Sequence, residues 1–224
     1  SLVFSENTYY ENRVFNNQGF KYFFPNLKTP YTVIHNGFNP TFFNDNLDKK
    51  IPNSFISVAL TDDFRRFQLK GIDKIFFLAN EFQECAFTLV GLKDQFKNKL
   101  KSIPKNIKVL SFLSQEDLLI YLNKSEFYLQ LSISEGFPNA LCEAMLCGCI
   151  PIGSKVGAIP NIINKAGYII NNSNFRYIEN EFKQITRISI NKRLELAKKA
   201  RTRIIKNFHI SKRERLFLDL IKNN

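Results

Sequence analysis

The stretch of residues 126–153 constrains the fold of this chain more than any other part of the sequence. Residues 126–132 and 150–153 are mainly apolar and predict two strands. A Gly-Phe-Pro turn and an apolar segment of helical length, Asn139–Leu146, lie between them. Two strands joined by one helix form a parallel βαβ unit, because a short turn cannot return the chain in the same direction. This unit predicts an α/β fold.

The same alternation of strands and helices extends over most of the sequence. Further strands are predicted at residues 55–60, 86–91, 107–112 and 168–170. Further helices are predicted at residues 71–80, 94–102, 114–123 and 158–164, the third with a capping box of Ser114 and Asp117. This pattern predicts a Rossmann-like parallel sheet with helices on both faces. Such sheets bind ligands beyond the carboxyl ends of their strands, where Glu135 follows its strand.

The composition excludes several classes of protein. A hydrophobic fraction of 44% and 23 phenylalanines fit a packed globule and not a disordered chain. No apolar run approaches the length of about 18 residues that a transmembrane helix needs. The four cysteines lack the C-x2-C spacing of zinc sites, so we interpret them as buried thiols in a reducing compartment. The only histidines, His35 and His209, have no third ligand, and we predict no metal.

Two glutamates, Glu135 and Glu143, lie eight residues apart around the Gly-Phe-Pro turn. Eight residues of helix rise about 12 Å. The paired carboxylates of glycosidases stand only about 5–9.5 Å apart across one bond. The spacing therefore favours two separate tasks over joint acid–base catalysis. In the alternative interpretation, Glu143 is a solvated helix residue and Glu135 only interacts with the helix dipole.

The turn meets the predicted helix near Asn139. The backbone N–H groups of a first helical turn have no partner within the helix, and such a helix end binds phosphate. Carboxylates on either side can accept hydrogen bonds from hydroxyl groups. The layout suits a ligand with hydroxyls at both ends and a diphosphate in the middle, which describes a nucleotide-sugar.

Residues 135–152 resemble the E-x7-E signature of retaining glycosyltransferases with the GT-B fold, those of glycosyltransferase family 4. Members usually have E-G-F-G-L-x-x-x-E-A-M-A-x-G-x-P-V-I, and the similarity continues to Pro160. The chain departs at Pro138 and Asn139, where Gly and Leu are commoner. Pro138 has no N–H to donate, so neighbouring residues must supply the donors. The resemblance implies one half of a GT-B fold, the half that binds the sugar donor.

The resemblance also implies roles for the residues of the turn and helix. Glu135 would contact the donor sugar and take part in transfer, and Glu143 would hold the ribose hydroxyls. Backbone amides of the turn would meet the sugar and the diphosphate. The donor-binding residues implied here are Gly136, Phe137, Asn139, Ala140, Leu141 and Glu143.

A second motif, at residues 62–73, supplies cations after the strand 55–60. The family usually has Gly-Arg at the end of this strand and Lys-Gly five residues later, and this Arg and Lys clamp the diphosphate. Lys70 matches as a catalytic residue, but the arginine falls on either Arg65, taken as catalytic, or Arg66, taken as donor-binding. Fixed cations stabilise the charge that develops on a leaving nucleoside diphosphate. The alternative interpretation is a basic surface loop.

Residues 31–40, YTVIHNGFNP, resemble the V-I-x-N-G-V-D segment that opens the donor domain of the family. We therefore predict that residues 1–30 are the tail end of an acceptor-side domain plus a linker. Residues 31–205 are predicted to form the donor-binding domain and residues 206–224 a C-terminal helix. Within the first part we predict a strand at residues 2–5, a polar helix at 7–17 and the linker at 20–30. The missing acceptor domain is expected in cis or in trans.

Positive charge is concentrated near the end of the chain. The formal net charge is +12, and residues 183–224 contain 13 Lys or Arg but three acidic residues. Ser211 and Glu214 predict a capping box at the start of the last helix, whose apolar face includes Leu216 and Leu220. The basic residues form either a solvated helix face or a surface for an anionic membrane, where lipid-linked acceptors reside. Nucleic-acid binding is disfavoured, because no reader motif or interleaved aromatic platform is present.

We predict a transferase that moves a hexosyl or related sugar from a nucleotide-diphosphate-sugar to a glycan or lipid-linked acceptor, with retention. The nucleotide-sugar is the substrate, and no further cofactor is expected. The expected place is the cytoplasm or the inner face of the membrane. Two alternatives stay open. One is a nucleotide-sugar-binding module without activity in isolation, and the other is a basic surface-binding protein with a vestigial pocket.

Overall fold

The computed structural model describes residues 2–4, 24–26, 28–29, 31–171 and 174–222. The polar helix predicted at residues 7–17 and most of the linker predicted at 20–30 lie outside these ranges. Strand β1 (Leu2–Phe4) pairs in parallel with β2 (Tyr31–Val33). After β2, the Phe38 N–H donates to the Phe208 carbonyl at 2.8 Å, and the Ile210 N–H donates to the Phe38 carbonyl at 3.0 Å. The segment that follows β2 is thereby tied to the C-terminal part of the chain.

The central sheet confirms the predicted α/β architecture. Within the described residues it has six strands, all parallel, in the order β5-β4-β3-β6-β7-β8. The strands are β3 (Ile51–Thr61), β4 (Ala86–Leu92), β5 (Ile107–Leu110), β6 (Ser125–Gln130), β7 (Ile150–Ser154) and β8 (Tyr168–Ile170). The strand order reverses between β3 and β6, and ligands of open α/β sheets bind at such a switch point.

Helices pack on both faces of this sheet. They are α1 (Phe64–Leu69), α2 (Ile72–Glu81), α3 (Asp94–Lys97), α4 (Gln115–Lys124), α5 (Asn139–Leu146), α6 (Ile159–Ile163), α7 (Phe175–Thr186), α8 (Ile190–Asn207) and α9 (Ile210–Lys222). A 3-10 turn, Leu47–Lys49, precedes β3. In the described part of the chain, no helix combines the length and the apolar character needed to cross a membrane.

Five helices differ from the sequence prediction, which gives no bounds for α7 and α8. Helix α3 ends at Lys97 and not at residue 102, because Phe96 is its only buried residue and one turn gains little from packing. Helix α1, which the prediction does not contain, begins after Asp63, whose Oδ1 accepts a hydrogen bond from the Arg66 N–H at 2.7 Å. Helix α9 begins at Ile210, before the predicted serine cap.

The start of α9 shows why the predicted capping box was wrong. The Ser211 N–H donates to the ring Nδ1 of His209 at 3.2 Å. The imidazole of His209 therefore caps the helix two positions before the predicted serine cap. The cap of Ser114 on α4 is confirmed, because its Oγ accepts from the Asp117 N–H at 3.0 Å.

The sheet buries side chains on both faces, because successive residues of a strand point to opposite sides. Phe55 of β3 and Phe127 of β6 stack with ring centroids 4.8 Å apart, and Phe182 of α7 packs on Phe55 at 4.7 Å. The next residue of each strand, Ile56 and Tyr128, is fully buried in a second cluster with α5 and α8. Two cores thus hold β3 and β6 side by side.

A buried ion pair joins α8 to the entrance of β6. The Arg193 Nη1 lies 2.7 Å from Glu126 Oε2, and both side chains are less than 15% exposed. The guanidinium also donates to the Asn53 side chain at 3.0 Å and to the Thr186 carbonyl at 2.5 Å. Glu126 Oε2 accepts the Asn53 N–H at 2.8 Å, and Asn53 has a positive φ of 54°. One arginine therefore stabilises several groups that would otherwise be buried without partners.

We predict that Arg193→Met lowers the free energy of unfolding by about 3–5 kcal/mol, because it leaves the Glu126 carboxylate buried without its counter-ion. Lys199→Met on the same helix is the control, since its ion pair with Glu195 is exposed and screened by solvent, so its loss should change stability little. Urea unfolding at pH 7 measures both. Equal losses for the two variants would show that burial does not set the strength of the Arg193 contact.

Candidate functional site

The candidate site lies beyond the carboxyl ends of β3 and β6, where Gly71 packs on the chain that leaves β6. Gly71 has a left-handed φ of 70°, and a Cβ there would stand 2.1 Å from the Leu131 carbonyl oxygen. The Ile133 N–H donates to the Leu69 carbonyl at 2.9 Å. No side chain fits between these backbones, so this position requires glycine. The close approach brings Lys70 next to the segment that carries Glu135.

Lys70 and Glu135 form an ion pair across 65 residues of sequence. The Lys70 Nζ lies 2.7 Å from Glu135 Oε1, and the two side chains are 33% and 11% exposed. The Ser132 Oγ donates to the same oxygen at 2.9 Å, and the Gln130 Nε2 donates to it at 3.1 Å. The contact joins the predicted acid to the predicted cation.

The backbone around Glu135 is packed against the loop that follows β7. Gly157 has a φ of 51°, and a Cβ there would meet the Glu135 carbonyl oxygen at 2.1 Å. The Ala158 N–H donates to the Gly136 carbonyl at 3.3 Å. A Cβ at Gly136, in contrast, would meet nothing within 4 Å among the described residues. The glycine therefore leaves open space beside Glu135.

Helix α5 begins at this turn without a side-chain cap. Pro138 is the N-cap residue and provides no hydrogen-bond acceptor in its side chain. The side chain of Asn139 accepts a hydrogen bond from the Asn36 amide at 2.8 Å. Ala140 is half-buried, whereas Leu141 is fully buried and its N–H donates to the Pro138 carbonyl at 3.2 Å. The first-turn N–H groups of Asn139 and Ala140 are thus the ones nearest the open turn.

Aromatic side chains anchor the turn from the other side. The Phe137 ring lies 5.7 Å from His35, 6.2 Å from Phe38 and 5.4 Å from Phe208, measured between centroids. His35 and Phe38 belong to the segment after β2, and Phe208 follows α8. The turn is therefore held between the two segments that the Phe38 backbone joins.

The second acid, Glu143, lies on α5 in a different environment. Burial raises the pKa of Glu143, and a hydrogen bond from Gln115 partly opposes this effect. Burial also raises the pKa of Tyr128 well above its usual value, and the charges of Glu135 and Glu143 both add to the increase. The charges of both acids therefore disfavour ionisation of Tyr128.

Asp62 engages two cations near the site. The Arg66 Nη1 lies 3.1 Å from Asp62 Oδ1, and the Lys93 Nζ lies 3.0 Å from Asp62 Oδ2. The hydrogen bond from Lys93 lowers the pKa of Asp62, burial partly opposes this, and the charges of Arg66 and Lys93 lower it further. Arg65 is exposed on α1. Of the three predicted cations, the structure brings Lys70 into contact with Glu135, whereas Arg66 pairs with Asp62.

Comparisons with known proteins identify the family. Residues 65–203 match the family described as Glycosyl transferases group 1, over more than half of the chain. The chain belongs to this family. Over 134 residues it is 37% identical to the capsular polysaccharide biosynthesis glycosyltransferase CapH of Staphylococcus aureus, a match that covers 56% of this chain and 37% of CapH. The match spans about a third of the length of the curated relatives.

Solved structures of glycosyltransferases share the fold. Sucrose-phosphate synthase of Thermosynechococcus elongatus aligns with a TM-score of 0.77 at 15% identity, covering 99% of this chain and 58% of that one. Anabaena HepE in complex with UDP and glucose aligns with a TM-score of 0.70 at 16% identity, covering 87% and 57%. These neighbours are GT-B glycosyltransferases, so the predicted Rossmann-like fold of GT-B type is confirmed.

Several polar residues of this group 1 glycosyltransferase domain escaped the sequence prediction. Gln130 and Ser132 contact Glu135, Gln115 contacts Glu143, and Asn36 contacts Asn139. The pair at 130 and 132 had a signal, since two polar residues at period two interrupt the end of an apolar strand. Gln115 and Asn36 had none, because only the tertiary fold brings their segments to α5.

We predict that Glu143→Gln raises stability at pH 7. The folded state raises the pKa of Glu143, so the ionised form destabilises the fold at neutral pH. This effect shrinks as the pH falls through the raised pKa of the folded state and is gone below the ordinary value of about 4.3. The gain should therefore shrink between pH 7 and pH 4 in urea unfolding. Glu84→Gln, at an exposed carboxyl, is the control for removing one negative charge from a basic chain. A gain that does not change with pH would contradict the burial of a charged Glu143.

Proposed function

We propose that this domain binds a nucleotide-diphosphate-sugar and transfers its hexosyl or related sugar with retention, as a member of glycosyltransferase family 4. The contact between Lys70 and Glu135 supports the proposal most directly. It joins an acid and a cation at the switch point of the sheet, beside a helix end without a side-chain cap. The neighbour HepE is described in complex with UDP and glucose, which fits a donor of this class.

The proposed reaction separates charge, and the residues are suited to stabilise both products. The bond between the sugar and the diphosphate breaks, so the diphosphate gains negative charge. Lys70 and the first-turn N–H groups of α5 stabilise that charge, with Arg65 or Arg66 as the second cation. Glu135 orients the sugar and stabilises its developing positive charge. The departing phosphate accepts the acceptor proton on the same face, and the new glycosidic bond keeps the original configuration.

The proposal assigns the remaining donor contacts to the turn and to helix α5. The open space beside Gly136 admits the sugar, and Phe137 forms the wall behind it. Glu143 accepts hydrogen bonds from the ribose hydroxyls. No cofactor beyond the nucleotide-sugar takes part in this proposal.

The acceptor and the second domain are also part of the proposal. CapH is described as an enzyme of capsular polysaccharide biosynthesis, so we propose a glycan or lipid-linked acceptor in the cytoplasm. Residues 31–205 would form the donor domain and residues 206–224 a separate C-terminal helix, with the acceptor bound by a second domain in cis or in trans. A donor-binding module without activity in isolation is the other candidate, because the match spans about a third of the curated relatives.

We predict that UDP-glucose, GDP-mannose or ADP-glucose raises the melting temperature, because a ligand that binds only the folded state stabilises it. Glu143→Ala should then weaken binding of the corresponding nucleoside diphosphate about 10- to 100-fold in calorimetry, since it removes a charged hydrogen-bond acceptor. Glu84→Ala, beyond the opposite end of the sheet, should leave the affinity unchanged. An unchanged affinity in Glu143→Ala would remove the ribose assignment.

Donor hydrolysis by the 224-residue chain distinguishes the two candidates. A transferase releases free sugar slowly to water, whereas a binding module releases none. Proton NMR of the first glucose released from UDP-glucose gives the stereochemistry, and the α anomer is expected. Initial release of the β anomer would contradict retention.

We also propose that a basic groove between α6 and α8 contacts an anionic membrane. The groove has a volume of about 520 Å³, and its lining includes Lys165, Lys198, Arg203 and Lys206. One acid, Glu195, lies in the same groove and is already paired with Lys199. Each lysine near an anionic surface contributes about 1 kcal/mol. This charge would keep the domain beside lipid-linked acceptors.

We predict that the chain binds vesicles rich in phosphatidylglycerol and not vesicles of phosphatidylcholine, independently of nucleotide. Changing Lys165, Lys198 and Lys206 together to Gln should weaken this binding roughly 100-fold. Changing Lys97, Lys101 and Lys105 together to Gln is the control with the same loss of charge. Equal weakening by both sets in a sedimentation assay would show that net charge, and not the groove, carries the binding.

A further inference from the structure

A row of buried polar side chains runs inward from Glu135 along β6. Tyr128 and Ser132 are fully buried, and Gln130 is 5% exposed. The three residues alternate along the chain and therefore lie on one side of the strand. Polar groups in a core are costly unless they are hydrogen-bonded. We call Tyr128, Gln130 and Ser132 the polar row.

The hydrogen bonds along the polar row run toward Glu135, so that Gln130 and Ser132 both donate to its carboxylate. The Tyr128 hydroxyl donates to Gln130 Oε1 at 3.2 Å. This bond turns the amide so that its Nε2 donates to Ser132 Oγ at 2.9 Å and to Glu135 Oε1 at 3.1 Å. The Ser132 hydroxyl donates its one hydrogen to Glu135 Oε1 at 2.9 Å. Tyr128 thus fixes Gln130, and Gln130 and Ser132 both fix the carboxylate.

The row acts on one oxygen of Glu135. Among the described residues, the three hydrogen bonds to this carboxylate, from Lys70, Gln130 and Ser132, all reach Oε1. Oε2 receives none of them. Because these hydrogen bonds fix Oε1, Glu135 can present Oε2 to a ligand in a defined orientation.

The donors differ in what happens when a diphosphate binds. Lys70 has a long, charged side chain that is one-third exposed, so a diphosphate competes with Glu135 for its ammonium group. Gln130 and Ser132 are neutral and buried, so a bound diphosphate does not attract them away from Glu135. Their two hydrogen bonds therefore keep the carboxylate in place while Lys70 turns to the phosphate.

We propose that Gln130, held by Tyr128, is a positioning residue that orients Glu135 toward the donor sugar. This inference rests on the proposed function, because it assigns the free oxygen of Glu135 to a sugar hydroxyl. It goes beyond that function in separating two kinds of support for the acid. Lys70 binds the diphosphate, whereas the polar row positions Glu135 for the sugar.

The test compares binding of UDP and UDP-glucose by calorimetry, or of the GDP or ADP pair if that pair gives the larger thermal shift. The ratio of the two dissociation constants measures the contribution of the sugar. Gln130→Met keeps the length of the side chain and removes its three hydrogen bonds, the one accepted from Tyr128 and the two donated to Ser132 and Glu135. We expect UDP affinity within about twofold of the parent and a sugar contribution about tenfold smaller, the cost of a lost bond to a charged group.

A double-mutant cycle separates positioning from a general structural effect. Glu135→Ala should remove the sugar contribution, and adding Gln130→Met to it should change nothing further. Ser125→Ala, which removes a buried hydroxyl from the other end of β6, is the control and should leave both affinities unchanged. If Gln130→Met does not fold, Ser132→Ala tests the same idea by removing one hydroxyl.

The outcomes distinguish this inference from the proposed function. A parent chain that binds none of the nucleotides would overturn the proposed function and this inference with it. A parent that binds, with a sugar contribution lost in Glu135→Ala but kept in Gln130→Met, would overturn the positioning role alone. An equal effect of Gln130→Met with and without Glu135 would do the same, because the row would then act on the fold and not on the acid.

Discussion

The contact between Lys70 and Glu135 depends on the absence of a side chain at Gly71. The chain leaving β3 passes so close to the Leu131 carbonyl that a Cβ could not be accommodated. The left-handed conformation of Gly71 ends α1 and begins α2 at this point, which leaves Lys70 facing the end of β6. Any larger residue would push the two strand ends apart. The stacked phenylalanines beneath resist that movement, because β3 and β6 share one core.

The two acids of the site have different surroundings. Glu135 receives three hydrogen bonds at one oxygen, and one of them comes from a cation. Burial raises the pKa of Glu143, so its charged form lacks full compensation until a donor binds. Hydroxyl groups of a ligand would supply that compensation. The eight-residue spacing predicts separate tasks for the two acids, and their different environments are consistent with that prediction.

The sheet and the helices as far as α6, apart from α1, could be predicted, because apolar strands alternate with helices and each strand is continuous in sequence. Helix α1 could not, since it has no buried residue and therefore no apolar stripe. Its absence from the prediction also hid the Arg66–Asp62 pair, which depends on the i, i+4 spacing of a helix. Lys70 and Glu135 meet because they follow β3 and β6, which are parallel neighbours whose carboxyl ends lie at the same edge of the sheet. The partners of Glu143 and Asn139 come from distant segments, and no local pattern marks them.

In the proposed reaction, Lys70 lies between Glu135 and the diphosphate, and this position increases the rate of transfer. In the ground state the ammonium group is attracted both by Glu135 and by a bound diphosphate. As the bond to the sugar breaks, the charge of the diphosphate grows, whereas the charge of Glu135 stays the same. Lys70 therefore gains more from the diphosphate in the transition state than in the ground state, and only such a difference accelerates a reaction. Neutral donors on Glu135 preserve this gain, because the acid does not lose its position when the cation leaves it.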